Sequence, residues 1–302
     1  MLLDAHAHAF PDVAAGLRWQ QLLGVAEPRR SGALEDLGMR ASEAEIDRVV
    51  LLLWPRSGER HEELRAQGGH DEEQIRALLR DELIALNRWG LDAAARDARF
   101  LPFAGINVRY LSEAESVAEI DAVAALGARG IKLIPPSMRL YPDDPLLWPV
   151  YRRCAELGLP ILSQSGRGGG EPPQPGADHY GRPRYYDEVL RSFPELTLIL
   201  AHMGLGYEED VVQLTAAHAN VHTDTSLRLS RLGRAGNPTP AELVRLIRRI
   251  GVDRTLFGTN YPFVDPRAYR ERLQALPLSA RERELIAYRN FLAVLPPVAQ
   301  ED

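Results

Sequence analysis

Cysteine is almost absent, with Cys154 the only one in 302 residues. No intramolecular disulfide can form, which suits a reducing compartment. Long basic runs are missing too. The 36 Lys and Arg are outnumbered by 42 Asp and Glu, for a net charge of −6. Neither nucleic acid nor an anionic membrane is therefore expected as a partner. No apolar run approaches the roughly 20 residues that cross a bilayer. The first residues lead directly into a strand carrying Asp4, with no basic and then apolar leader. The expectation is a soluble cytoplasmic protein. Solenoid-type repeats are lacking, as is any Gly-x-Gly-x-x-Gly after the first strand.

Hydrophobic residues make up 45% of the chain, enough for a large core. No break in composition marks a linker, so residues 1–302 are expected to form one domain. The chain starts with Leu-Leu-Asp-Ala-His-Ala-His over residues 2–8. Alternation along a strand turns Asp4, His6 and His8 to one face, where two imidazoles can converge on a divalent ion. A His-x-His pair also arises by chance. This one ends what reads as the first strand of an α/β chain, where parallel folds keep their chemistry.

Short apolar runs bounded by Gly and Pro then recur, as expected of strands buried on both faces. They fall at residues 49–54, 100–106, 130–134, 161–165, 196–201, 221–225 and 255–260. Residues 9–41, broken by Pro11, Gly16, Gly24, Pro28, Gly32 and Gly38, read as an irregular cap over strand one. A short helix is expected at 42–47. His61 and His70 lie among charges and read as solvated. A helix is expected over 71–97. Ser112 with Glu115, and Thr239 with Glu242, form capping boxes. Asp144-Pro145 starts a helix that ends at Gly158. The Gly- and Pro-rich segment 166–183 reads as a loop over the site. A last helix from Ser279 is expected to pack Leu285, Phe291 and Leu292. Eight strands alternating with helices imply an α/β TIM (β/α)8 barrel, whose site lies at the C-terminal strand ends. Those ends carry His6 and His8, Lys132, Gln164, His202, Asp224 and Asn260.

With Gly130-Ile-Lys-Leu, Tyr141-Pro-Asp-Asp-Pro145, Ala201-His-Met-Gly204, Leu256-Phe-Gly-Thr-Asn-Tyr-Pro262 and Asn290 added, the chain resembles the amidohydrolase superfamily almost end to end. The resemblance is to its amidohydrolase-related branch of decarboxylases, lactone hydrolases and hydratases. It implies hydrolysis or decarboxylation of a small organic acid or lactone at a mononuclear metal site. Family members usually carry His where this chain has Gln164, and Asp where it has Asn260. Many also carry His at the position of Ile134. By this resemblance His6, His8 and Gln164 fall on metal-ligand positions and Asn260 on that of the general base.

An amide is a poor zinc ligand, and Asn cannot serve as a carboxylate base. Zinc or another divalent metal is accordingly expected to be weak or absent. His202 reads as a proton-transfer or substrate contact, against a core histidine bonded to backbone. Lys132 reads as a carboxylate anchor or, as in some superfamily branches, a carbamylated ligand. Its alternative is a barrel lysine paired with a carboxylate such as Asp4. Asp224 is the remaining candidate base, or else a structural carboxylate. Arg167, Arg182 and Arg228 on mouth loops point to an anionic small-molecule substrate, against simple solvation. Two functions stay open: an amidohydrolase-like enzyme with a degenerate metal site, or an inactive amidohydrolase-like barrel that binds a ligand or partners an intact paralogous subunit. Association with further copies or with an intact paralogous subunit is compatible with either.

Overall fold

Each of eight apolar runs forms a parallel strand: β1 (Leu3–Ala7), β2 (Arg48–Leu52), β3 (Phe100–Gly105), β4 (Gly130–Leu133), β5 (Ile161–Ser163), β6 (Leu198–Leu200), β7 (Val221–Asp224) and β8 (Thr255–Leu256). The structure is a computed structural model and describes residues 1–167, 174, 176–234 and 236–296. Strand order follows the chain, each strand pairing with the next. The sheet closes where Ala5 N–H donates to Phe257 O and His8 N–H to Tyr261 O, both at 2.8 Å. This is the expected TIM barrel.

Strand alternation separates two cores. Val49, Leu51, Ile131 and Leu133 pack outward against the helices. Leu3, Val50, Leu52, Phe103, Leu162 and Ile199 fill the barrel. Phe291 and Val294 of the last helix join the inner set. Asn290 holds that helix in place, its Nδ2 donating to Val252 O at 2.7 Å and Thr255 O at 2.8 Å.

Several local expectations need correction. Residues 9–41 are not irregular: they contain α1 (Val13–Leu22) and the start of α2 (Leu34–Glu43). Asp12 caps α1 through Ala15 N–H. Gly16 sits inside α1 because a Cβ there would lie 2.2 Å from Ser31 O, so this glycine permits close approach and does not break the helix. The helix expected at 42–47 is the end of α2 displaced toward the C-terminus. His61, on α3 (Ser57–Gln67), is not solvated but buried, 3.3 Å from Tyr110 Oη and 3.2 Å from Glu72. Leu292 is 49% exposed. A π-helical turn at Leu285–Arg289 inserts a residue and rotates the apolar stripe, so Ile286 is buried instead.

The α4 helix (Glu72–Arg96) and α5 helix (Glu113–Ala125) form as expected, with capping boxes at Asp71/Gln74 and Ser112/Glu115. Two further helices at the barrel rim, Glu208–Ala217 and Pro266–Ala275, carry weaker sequence signals. Of the expected covering loop, residues 168–173 and 175 lie outside the described residues. Its ends are pinned: Gly166 N–H donates to Gly181 O at 2.8 Å and Arg167 N–H to Leu205 O at 2.9 Å.

Candidate active site

Strand β1 does not present Asp4, His6 and His8 by plain alternation. Asp4 pairs with Val49 but Ala7 with Leu51, so β1 spends one residue more than β2 over this stretch. Such a bulge re-aims side chains, and Asp4 stabilises it. The Asp4 carboxylate accepts from His6 N–H at 3.0 Å, Thr259 N–H at 2.8 Å and Thr259 Oγ1–H at 2.5 Å. Asp4 thus ties β1 to the end of β8. Burial pushes its carboxyl up to about 7, against the lowering effect of those three bonds.

Past the bulge, His6 and His8 are both buried, with ring centroids 5.4 Å apart. His6 Nδ1 lies 2.8 Å from Asp224 Oδ2, and His8 Nδ1 lies 3.2 Å from Leu52 O. His202 enters from the end of β6, in a turn where it and Met203 adopt left-handed φ values of 60° and 52°. Each such residue costs on the order of 1 kcal/mol and persists where its surroundings fix it. Here His202 N–H donates to Asp224 Oδ1 at 3.0 Å, and the His202 ring lies 4.9 Å from that of His6.

Proton counting assigns the tautomers. Asp224 is fully buried; burial pushes its pKa up, but His6, His202 and Ser226 outweigh this and hold it below the usual carboxylate range. As an ionised acceptor it accepts hydrogen bonds from His6 Nδ1–H and from Ser226 Oγ–H. Ser226 Oγ, its own O–H directed at Asp224, accepts from His202 Nδ1–H at 2.6 Å. His8 Nδ1–H can donate only to the Leu52 carbonyl. All three histidines therefore hold their proton on Nδ1, leaving Nε2 as a lone pair. Gln164 Oε1 is placed 3.2 Å from His202 Nε2, so with the proton on Nδ1 two acceptors would face each other unless the amide is turned. That amide must present its NH2 group to the ring, an assignment set by the network.

Lys132, on the inner face of β4, is fully buried, and its Nζ has no hydrogen-bond partner among the described residues. Pairing with Asp4, the bland alternative, does not occur. Burial pushes the Lys132 amine down to about 7, with Asp224 opposing the shift and Arg56 adding to it. Burial and the charge of His6 push His202 down to about 3. His6 and His8 are likewise lowered, chiefly by burial. Asn260 follows β8 at a left-handed φ of 69°, and its N–H donates to His6 O at 2.7 Å. Gly258 makes room for this crossing, since a Cβ there would lie 3.0 Å from His6 Cβ and 3.4 Å from Asp224 Cβ.

The loop arginines are engaged elsewhere. Arg182 bonds Asp210 through Nε at 2.9 Å and Asp178 through Nη1 at 2.5 Å. Both Arg182 and Arg167 lie 5.0 Å over the Tyr207 ring. Arg228 pairs with Glu208 at 2.8 Å. Three further residues belong to the mouth. Ser226 fixes the tautomer of His202. Trp19 of α1 lies 4.8 Å from the His8 ring, and Arg56 stacks 4.4 Å over Trp19. Burial lowers Arg56 to about 10, and its Nε has no partner among the described residues. Arg56 follows the end of β2, so the strand-end rule applied to that strand points to it. Ser226 and Trp19 carry no comparable signal.

Among the described residues, His6, His202 and Asp224 form a group whose His and carboxylate ligand atoms all lie within 4.8 Å of one another. Asp224 is already saturated by hydrogen bonds. The donors left for a divalent ion are the neutral Nε2 atoms, each backed by a fixed Nδ1–H as metal-ligating histidines usually are. The residues thus fit an ion through imidazole, while the carboxylate of that group, Asp224, is committed to four hydrogen bonds.

A family model described as Amidohydrolase matches residues 3–296. Among curated proteins none matches. Solved structures similar to this chain include an uncharacterised TIM-barrel protein from Bordetella bronchiseptica. It is 21% identical with a TM-score of 0.71, and the match covers 97% of each chain. A 2,6-dihydroxybenzoate decarboxylase from Rhizobium is 17% identical, TM-score 0.69, over 97% of this chain and 98% of that one. A dihydroxybenzoic acid decarboxylase from Polaromonas, with bound manganese and the inhibitor 2-nitroresorcinol, is 17% identical, TM-score 0.72, over 97% and 96%.

Proposed function

Because the chain belongs to the Amidohydrolase family, we propose that it is an enzyme that decarboxylates or hydrolyses a small organic acid or lactone, with metal weakly held or dispensable. One observation carries this reading: three buried histidines at the strand ends share the barrel mouth with a buried amine that has no hydrogen-bond partner among the described residues. A merely structural core would have satisfied that amine. The dihydroxybenzoate decarboxylases among the similar structures support a small anionic acid as the substrate class.

In this mechanism Arg56 supplies the positive field that draws the anion into the mouth, with the buried Lys132 amine as a second polar contact for it. His202 Nε2, neutral because burial and His6 disfavour its charged form, accepts a proton from the reacting group. Asp224 and Ser226 hold the two imidazoles in orientation, as positioning residues. Burial of the cluster excludes bulk water and strengthens each of these interactions. A divalent ion held by His6, His8 and His202 would polarise a substrate oxygen.

A second reading, a non-catalytic barrel that binds a ligand, is favoured by Asn260 at the base position of the family. One experiment separates the two. Chelator-treated protein is incubated with hydroxylated benzoates and muconate-type lactones, and each is followed by loss of absorbance. Turnover that survives chelation and falls in His202→Asn supports the enzyme. Thermal stabilisation by an acid that is never consumed supports the non-catalytic barrel.

A further inference from the structure

Lys132 is the single lysine in a chain of 36 basic residues. Every other basic position is arginine, on the surface and in ion pairs alike. Arginine could serve as a carboxylate anchor at least as well, since its planar fork matches a carboxylate. What arginine cannot do is act as a nucleophilic amine. The one amine side chain in the protein is fully buried at the mouth end of the barrel, and its Nζ has no hydrogen bond among the described residues. Its electrostatic neighbours are Asp224, Arg56 and the three histidines.

We propose that Lys132 is a catalytic amine that forms an imine with the keto group of a 3-oxo acid and decarboxylates it without metal. This deepens the function proposed above and rests on it for the class of substrate. Nζ adds to the carbonyl carbon, and the carbonyl oxygen leaves as water after taking up protons. The product is a protonated imine on Lys132. Its positive nitrogen accepts the electron pair of the breaking carbon–carbon bond as carbon dioxide departs, giving an enamine. The enamine carbon takes a proton from solvent, and water hydrolyses the imine to release ketone and free amine. The sum is 3-oxo acid anion plus one proton giving ketone plus carbon dioxide, with no oxidant or reductant required. Imine formation needs an uncharged amine, and a desolvated lysine is activated in this way. Here Nζ is fully buried with no acceptor bonded to it among the described residues, surroundings that favour the uncharged form. Arg56, whose Nη1 lies 3.8 Å from Glu59 but whose Nε has no partner among the described residues, offers a cation for the substrate carboxylate before it is lost.

The test uses intact protein, chelator and acetoacetate. Sodium borohydride is added to reduce any imine, and the adduct is located by peptide mass mapping. The only other amine is that of Met1, half-exposed and 4.0 Å from Asp47, so the two sites are readily told apart. The expected result is one isopropyl group on Lys132 of the wild type. Decarboxylation of acetoacetate should be lost in Lys132→Arg, which keeps the charge but not the nucleophile. A second probe, 2,4-pentanedione, should form a conjugated enaminone on the wild type, visible as new ultraviolet absorbance. This arm needs no variant to fold. No adduct on Lys132 with either probe, or full decarboxylation by a folded Lys132→Arg, overturns the proposal. Chelator-resistant turnover of benzoates or lactones by Lys132→Arg would overturn the imine while sparing the broader function. An adduct on Lys132 without release of product would leave the amine standing and remove the enzyme.

Discussion

Asp224 Oδ2 lies 2.8 Å from His6 Nδ1, and the other oxygen of the same carboxylate receives the backbone N–H groups of His202 and Ser226 at 3.0 and 2.9 Å. One buried side chain therefore joins the ends of β1, β6 and β7. Asp224→Asn tests this relationship, because an amide can accept on only one side. If its oxygen faces His6, its NH2 is driven against two N–H donors. Leaving those donors unpaired in the core should cost roughly 2–4 kcal/mol, more than an isosteric change ordinarily does. Chemical denaturation of the variant checks it, and a loss below about 1 kcal/mol would mean the network is looser than its distances imply.

The buried amine has a signature in the pH dependence of stability. Lysine binds its proton up to 10.5 when unfolded, whereas burial pushes Lys132 in the fold down to about 7. Between those values the unfolded state holds more protons, so this group makes stability rise with pH. Below about 7 both states are protonated and its full destabilising cost is present. Lys132→Met, similar in volume and uncharged, should raise the melting temperature at pH 7 and flatten the slope between pH 7 and 10. An unaltered slope would show that Lys132 is not the source.

The strand ends were legible because a parallel sheet buried on both faces demands short apolar runs, and Gly and Pro punctuate them. His6, His8, Lys132, Gln164, His202, Asp224 and Asn260 follow from that alone. The bulge between Asp4 and Ala7 was not legible, since it depends on hydrogen bonds from Thr259, some 255 residues away. Nor was the role of Ser226, which acts through Asp224 and His202 from a loop without periodicity. Gly16 misled for a related reason: it serves a contact with Ser31 and Gly32 that only the fold creates.

Arg182 offers a way to separate two roles expected of a loop cation. Its contacts to Asp178 and Asp210 tie the segment before Pro183 to the helix Glu208–Ala217. Arg182→Ala should therefore cost about 1 kcal/mol of stability and quicken proteolysis near residues 176–183. If Arg182 instead binds substrate directly, the variant should raise KM with loop protection unchanged.

The metal prediction turns on charge. Wild type presents three neutral imidazole Nε2 atoms, one of them occupied by Gln164. By the family resemblance, Asn260 stands where members usually carry a carboxylate. The expected zinc occupancy is substoichiometric. Gln164→His with Asn260→Asp would exchange two amides for an imidazole and an anion, the ligands a four-coordinate zinc site favours. Because ion binding to the folded state alone adds stability, a tighter site should also melt higher as zinc is added. Either substitution alone leaves the set incomplete, so the double variant is the informative one. Zinc is titrated into wild type and double variant, with bound metal measured after gel filtration and melting followed in parallel. Tight, stoichiometric zinc in the wild type would show that three imidazoles suffice, and would return the protein to ordinary metal-dependent chemistry. No gain in the double variant would mean that side chains 164 and 260 do not face the histidines as ligands.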